Sequence, residues 1–154
     1  MKFAAFIDIS NLYYTIRNNA DGKRLDYVRF VEYINTFGEG KITGYGTYLN
    51  NECKEFIAML TKVGVVPKYK RPLYTGKGKY KASWAVGITV DVLEAAKNVE
   101  LIILATGSGN YSPLIEKLQE DGKRVMVIGY DLARELRVTC DQCLMIPDSM
   151  LVGH

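Results

Sequence analysis

The stretch that most constrains the fold is residues 101–115, which read LIILATGSGNYSPLI. Its apolar start predicts a buried β-strand, and the two glycines predict a tight turn. Ser112-Pro113 predicts the start of a helix, with the serine as its cap and the proline in the first helical position. In an open α/β sheet, ligands bind at turns that follow the carboxyl ends of strands. The side chains in this turn, Ser108 and Asn110, are therefore candidate site residues, and both are neutral.

The rest of the chain alternates apolar runs with amphipathic stretches, a pattern typical of a parallel sheet flanked by helices. We predict an α/β, Rossmann-like three-layer fold with about five parallel strands, in a single domain that spans residues 1–154. Strands are predicted at Lys2–Asp8, Lys41–Leu49, Val65–Tyr69, Glu100–Thr106, Lys123–Ile128 and Cys143–Ile146. Helices are predicted at Asn11–Arg17, between a cap at Asp26 and an end at Gly38, and at Asn51–Val63, Ser83–Asn98, Ser112–Asp121 and Leu132–Val138.

Cysteine and histidine usage argues against several kinds of chemistry. The three cysteines are odd in number, which speaks against a disulfide framework. Cys140 and Cys143 have the spacing of a redox motif, but we prefer the simpler interpretation of two small residues near a buried strand. No second cysteine pair is present to complete a zinc site, and the single histidine is His154, so zinc and histidine-dependent mechanisms are disfavoured.

The sequence also bears on location. No apolar run approaches the length of a membrane span. The first residues, Met1–Asp8, are too short and too soon acidic for a signal peptide. We therefore expect a cytoplasmic protein with no membrane partner.

Positive charge is concentrated in one segment. The whole chain has 20 basic and 17 acidic residues. Residues 68–81 contain no acid. Tyrosines are interleaved with the basic side chains of this segment, and Trp84 follows it. Such a segment is typical of single-stranded nucleic-acid contacts, with cations on phosphates and rings on bases; the alternative is a solvated loop. The candidate nucleic-acid-binding residues are Lys68, Lys70, Arg71, Lys77, Lys79, Tyr80, Lys81 and Trp84.

Two acids are candidates for a metal site. Asp8 ends the first strand, and Asp91 lies between Val90 and Val92 on an otherwise apolar helix. A charge in such a helix is costly unless it is paired or binds a cation. One interpretation is that Asp8 and Asp91 hold a hard metal ion through their carboxylate oxygens. The other is that Asp91 pairs with a lysine or bonds to backbone at the rim of the crevice.

Taken together, the motifs resemble a known family. Four stretches carry the resemblance: residues 6–12 (FIDISNL), 84–93 (WAVGITVDVL), 103–115 (ILATGSGNYSPLI) and 122–129 (GKRVMVIG). Residues 132–141 fit the family's ending. The order and content of these five stretches resemble those of NYN-domain proteins, which belong to the PIN-like nuclease group. The resemblance covers essentially the whole chain. The resemblance implies a PIN-like fold and a metal-dependent endoribonuclease, in which an acidic cluster holds Mg²⁺ or Mn²⁺ and activates water against an RNA phosphodiester.

The resemblance places this chain's residues at the family's site positions. Asp8 and Asn11 match the acid and the asparagine that follow the first strand, and Asp91 matches the helix acid. Neutral residues stand at three positions where the family has acids, namely Ala85, Ser108 and Asn110. The flanking residues keep the pattern, so the losses look targeted rather than random.

Three hypotheses follow for the function. In the first, the chain is an active ribonuclease with a reduced site that uses Mg²⁺ or Mn²⁺. In the second, it is a weakened or inactive relative that binds RNA or a protein partner without a cofactor. The third hypothesis, a phosphate binder built on Gly107 and Gly109, lacks a P-loop lysine and a full dinucleotide glycine set. We favour a nuclease fold with weak or absent activity that binds single-stranded RNA. The sequence leaves the oligomeric state open, with a homo-oligomer among the options.

Overall fold

The computed structural model of the chain describes residues 1–48, 53–74, 80, 81 and 83–153. Within these residues the strands are β1 (Lys2–Asp8), β2 (Arg24–Leu25), β3 (Glu39–Thr47), β4 (Val65–Lys70), β5 (Leu73–Tyr74), β6 (Tyr80–Lys81), β7 (Leu101–Ala105), β8 (Arg124–Gly129), β9 (Gln142–Met145) and β10 (Leu151–Val152). The helices are α1 (Ile9–Asn19), α2 (Tyr27–Asn35), α3 (Cys53–Lys62), α4 (Ala85–Ala95), α5 (Ser112–Glu120) and α6 (Arg134–Thr139). Gly109–Tyr111 and Asp148–Met150 form short 3₁₀ turns.

Six strands form a central sheet in the order β4-β3-β1-β7-β8-β9. Each neighbouring pair is parallel. Strand β7 is buried along its whole length, and β1 is buried over residues 3–7, as expected for central strands covered on both faces. The predicted α/β fold is confirmed, and each of the six strand segments predicted along the chain contributes a strand to the sheet, one more than the approximate number of five expected for the layer.

Helices cover both faces of this sheet. Alternate residues of β1 point to opposite faces, so Phe3, Ala5 and Ile7 join one core and Ala4 and Phe6 join the other. The first core includes buried side chains of α1, α2 and α3, and the second includes those of α4, α5 and α6. This arrangement gives the three layers that the sequence pattern predicts.

The sheet topology brings two chain segments together at its carboxyl edge. Strands β1 and β7 are neighbours, with Ile7 opposite Ala105. Asp8 and the glycine turn therefore leave the sheet side by side. At Gly107 a β-carbon would lie 1.9 Å from the carbonyl oxygen of Asp131, so only glycine fits this close backbone approach. A backbone hydrogen bond also fixes the turn, because the Ala133 N–H donates to the Gly107 carbonyl at 3.0 Å.

The predicted cap of α5 is wrong. A 3₁₀ turn intervenes between the glycines and the helix, and Tyr111 occupies the cap position without a side-chain hydrogen bond. Ser112 is already helical, and its buried hydroxyl has no hydrogen-bond partner among the described residues. Pro113 consequently follows the first helical residue instead of occupying that position.

Three further features differ from the sequence predictions. The segment after β4 is not all loop, because β5 and β6 form an antiparallel pair. Cys140 and Cys143 are joined by a disulfide instead of being merely two small residues. Strands β2 and β10, which the sequence pattern does not predict, pair antiparallel with each other. The predicted end of a strand at Leu49, the predicted helix start at Asn51 and the terminal His154 lie outside the described residues.

No helix among the described residues has the length and apolar character needed to cross a membrane.

Candidate functional site

A cleft of about 270 Å³ opens at the carboxyl edge of the sheet. It lies between the end of β1, the start of α1, the start of α4 and the glycine turn. Five of the six positions that the sequence assigns to the catalytic site line it together: Asp8, Asn11, Ala85, Ser108 and Asn110. Asp8 is the single carboxylate among the described lining residues.

The Asp8 carboxylate is held by hydrogen bonds from three groups. One oxygen accepts from the Asn11 N–H at 3.3 Å, so that Asp8 also caps α1. The other accepts from the Tyr111 hydroxyl at 3.1 Å and the Thr106 hydroxyl at 3.4 Å. Burial raises the pKa of Asp8, and these three bonds only partly counter that effect. The cleft therefore disfavours the negative charge that a cation would need.

Asn11 fixes the position of the glycine turn. Its amide oxygen accepts from the Gly107 N–H at 2.8 Å. Within the turn, the Ser108 N–H donates to the Thr106 hydroxyl at 3.2 Å, and the Asn110 N–H donates to the Ser108 hydroxyl oxygen at 3.3 Å. The side-chain oxygens of Asn11 and Ser108 thus already accept bonds from backbone, whereas the Asn110 side chain is exposed.

Asp91 does not line this cleft. Its carboxylate accepts from the Lys68 ammonium and from the Tyr45 hydroxyl, both at 2.7 Å. Burial alone would raise the pKa of Asp91, but the hydrogen bonds from Lys68 and Tyr45 and the charges of Lys68 and Lys41 lower it. Of the two interpretations given to this acid, the structure contains the lysine pairing.

These residues do not fit a two-cation centre. No group of three or more acidic, histidine or cysteine side chains that could hold a metal ion occurs within the described ranges. Hydrolysis with two metals requires carboxylate oxygens that bridge cations about 3.5–4 Å apart. Asp8 is the one carboxylate that the described residues contribute to the cleft, and the charge of Asp91 is neutralised by Lys68. The arrangement therefore supplies hydrogen-bonding groups more than metal ligands.

The predicted basic segment is only partly a free surface. Lys68 and Lys70 belong to β4, an edge strand. Lys68 pairs with Asp91. The Lys70 ammonium lies 4.3 Å from the centre of the Trp84 ring and donates to the Ser83 carbonyl. Trp84 lines the cleft, but its indole N–H donates to the Gly46 carbonyl at 2.8 Å. Arg71 is exposed. Tyr80 and Lys81 form β6, and Lys77 and Lys79 lie outside the described residues.

Several residues that shape the site are not predicted from the sequence. Thr106 and Tyr111 both contact Asp8, and Tyr45 contacts Asp91. Tyr45 stands opposite Asp8 in the neighbouring strand, a position that only the register of β1 and β3 reveals. Tyr111 could have been found from the sequence, because it follows the glycine turn that the predicted topology places beside Asp8. Glu135 of α6 also lies near this turn, since a β-carbon on Gly109 would be 2.9 Å from its carboxylate.

Comparison with known proteins agrees with this architecture. The NYN domain model matches residues 2–147. The chain therefore belongs to the NYN-domain family, a PIN-like nuclease family, and is a nuclease-type domain. Members of this family are generally metal-dependent, and membership implies nucleic-acid binding.

One solved structure resembles the chain closely. It is the crystal structure of VPA0982, a protein of unknown function from Vibrio parahaemolyticus. The two are 29% identical and superimpose with a TM-score of 0.89, over 98% of this chain and 96% of that one. No curated protein matches the chain.

Proposed function

We propose that this chain binds single-stranded RNA through a NYN nuclease fold whose metal-dependent hydrolysis is weakened or absent. The observation that carries the proposal is that the described part of the chain contributes a single carboxylate, Asp8, to the cleft. Ala85, Ser108 and Asn110 line the cleft with Asp8, and all three are neutral at positions that resemble acidic ones in the family. Each missing carboxylate removes oxygen ligands that a second cation would need. Any remaining Mg²⁺ or Mn²⁺ binding should be weak.

Neutral polar residues of the cleft suit it to RNA without a metal. An RNA phosphate is repelled by carboxylates unless cations lie between them, whereas hydroxyl and amide groups donate hydrogen bonds to phosphate oxygens. Ser10, Asn11, Ser108 and Asn110 provide such groups here. Asp8, the single acid among the described residues that line the cleft, has a raised pKa because it is buried. We therefore expect RNA affinity that does not depend on divalent cations.

The test is fluorescence anisotropy with a labelled ten-nucleotide single-stranded RNA, titrated in EDTA and again in Mg²⁺ or Mn²⁺. Binding should persist in EDTA, and gels of the same samples should show little or no cleavage. The Ser108→Asp/Asn110→Asp variant should bind RNA less well than the wild type in EDTA, because its carboxylates repel phosphate. A DNA strand of the same sequence measures the preference for RNA.

Two outcomes would contradict the proposal. Absence of RNA binding in every buffer removes the RNA assignment. Rapid Mn²⁺-dependent cleavage by the wild type, lost in Asp8→Asn, would identify an active ribonuclease, for which the single carboxylate suffices.

A second candidate function, protein binding on the same fold, is favoured by the outer face of α4. The inner face of this helix packs Ile88 and Val92 into the core. Val86 and Val90 are nonetheless 78% and 60% exposed, and Leu93 is exposed as well. A helix that is apolar on both faces usually has both faces covered. Light scattering tests self-association: if this face joins copies of the chain, Val86→Lys/Val90→Lys should convert an oligomer to a monomer.

A further inference from the structure

A second, larger cavity lies on the other side of α1 from the cleft. Its volume is about 840 Å³, and it is bounded by α1, α2, α3 and the β2 segment. Cavities that bind small molecules and cofactors typically measure about 300–1,000 Å³. The cleft and its residues do not account for this space.

The walls of this cavity combine aromatic rings with hydroxyl groups. Tyr27 is buried, and its ring packs edge-on against Phe56 with the centroids 5.4 Å apart. Tyr69 forms another part of the wall, and Tyr14 contributes a ring that is 49% exposed. Planar rings of this kind stack on nucleobases, and hydroxyl groups hydrogen-bond to base edges and ribose.

Two cations lie at the cavity. Lys23 and Arg24 are both exposed and line it, and neither takes part in an ion pair among the described residues. Asp26 also lines the cavity, but its carboxylate accepts from two N–H groups at the start of α2 and pairs with Arg29 at 3.6 Å. The Asp26 carboxylate is thus already engaged, while the charges of Lys23 and Arg24 remain available to a phosphate.

The cavity adjoins the cleft. Ser10 and Tyr14, one helical turn apart on α1, line both spaces. At this boundary the Ser10 and Thr47 hydroxyl groups are hydrogen-bonded at 3.3 Å. A nucleic-acid strand that lies in the cleft would therefore have its next nucleotide at the cavity entrance.

From this arrangement, and resting on the proposed function, we infer that the cavity is a nucleotide subsite. It takes one nucleotide of the single-stranded RNA next to the phosphate held in the cleft. The base stacks on Tyr14 within the aromatic walls, and a phosphate lies at Lys23 and Arg24.

The experiment compares RNA affinity of the full chain across a small set of exposed-residue variants. The probes are labelled ten-nucleotide strands of uridine and of adenosine, and adenosine monophosphate serves as an unlabelled free nucleotide. Tyr14→Ala should weaken binding of the strands about five- to 150-fold, because one stacking contact is lost, whereas Tyr14→Phe should bind nearly as the wild type does. Lys23→Ala/Arg24→Ala should flatten the slope of log affinity against log salt by about 0.7, since the two cations contact one phosphate and each neutralised phosphate contributes about 0.7.

A matched control is Lys2→Ala, which removes an exposed cation at the opposite, amino-terminal edge of the sheet. Its affinity and salt slope should equal those of the wild type. On irradiation, a strand that contains 4-thiouridine should crosslink to a peptide that contains Tyr14. Melting curves of all variants should coincide within a few degrees.

Different results overturn different claims. If the wild type binds RNA but the Tyr14 and Lys23/Arg24 variants match Lys2→Ala, the subsite is refuted while the RNA assignment survives. If adenosine monophosphate binds in a Tyr14-dependent manner and the strands do not, the cavity serves a free nucleotide and the RNA source is refuted. If no probe binds, both the subsite and the proposed function fail.

Discussion

At the scale of single residues, Asp8 and Asp91 have opposite electrostatic environments. Asp8 receives bonds from hydroxyl groups and one backbone N–H, and burial raises its pKa. Asp91 is also penalised by burial, but the Lys68 ammonium and the Tyr45 hydroxyl bring its pKa below the ordinary value. The two acids should therefore contribute to stability with opposite signs.

We predict that Asp8→Asn stabilises the folded chain at pH 7. A carboxyl with a raised pKa in the folded state penalises that state when it is ionised, and a tenfold change in its acidity corresponds to about 1.4 kcal/mol. Asparagine removes that penalty and still caps α1. The stabilisation should shrink as pH falls through the folded pKa and vanish below 3.8, where the carboxyl is protonated in both states. Urea denaturation at pH 7 and at acidic pH measures it; destabilisation at pH 7 would contradict the prediction.

We predict the reverse for Asp91→Asn. A lowered folded pKa stabilises the fold above the ordinary value of 3.8, and the contribution is lost as pH falls through the folded pKa. The side chains of Asp91 and Lys68 are 30% and 45% exposed, so solvent screening limits the loss at pH 7 to about 1 kcal/mol or less. The same denaturation series, repeated in 1 M salt, should show a smaller loss. A loss that persists unchanged at low pH would assign the effect to packing instead.

At the scale of elements, the sequence predicts the order and type of the strand–turn–helix segment but not its detail. Strand β7 and helix α5 are present, and the glycine turn joins them. Serine is a residue type that favours helix caps, which is why the sequence points to Ser112 as the cap. The 3₁₀ turn that precedes the helix moves the cap to Tyr111. The Tyr111 hydroxyl donates to Asp8, and a contact between such distant parts of the chain leaves no local sequence pattern.

The structure makes Ser112→Ala a discriminating substitution. If the serine capped α5, alanine would destabilise the chain by about 1 kcal/mol. In the structure its hydroxyl is buried without a partner among the described residues, so removing it should be neutral or stabilising by about 1 kcal/mol. Melting curves distinguish the two directions. The control is Asp26→Ala, which removes a cap that does bond the Val28 and Arg29 N–H groups and should be destabilising.

Other elements escape prediction for physical reasons. The β2–β10 and β5–β6 pairs are two residues long, too short to show an alternating pattern. The odd cysteine count argues against a disulfide framework, but that rule does not exclude a single bridge such as Cys140–Cys143 between α6 and β9. Long, apolar strands carry the strongest pattern, and for that reason the central sheet is predicted well.

At the scale of the whole molecule, topology explains why most of the candidate site could be located. Residues far apart in sequence meet because parallel strands end at one edge of the sheet. Asp8 is the last residue of β1, and Asn11, Ser108 and Asn110 lie just beyond the ends of β1 and β7. The surroundings of Asp91 could not be predicted in the same way. They depend on side-chain contacts between α4, β3 and β4, which no local pattern specifies. The catalytic and metal roles of these residues remain predictions.

The last prediction restores the acids at the family positions together: Ala85→Asp, Ser108→Asp and Asn110→Asp. Three added carboxylates beside Asp8 in one cleft should lower the free energy of unfolding without metal by about 1–3 kcal/mol, a fall in Tm of roughly 2–10 °C, because like charges crowd there. Mn²⁺ at about 100 times its Kd should return about 2.7 kcal/mol, since it binds only the folded state. Melting curves with and without Mn²⁺ measure both effects, and RNA cleavage should rise in parallel. Wild type and Asp8→Asn serve as controls and should gain little from Mn²⁺. A triple variant that gains neither stability nor cleavage would show that the cleft is not a disarmed nuclease site.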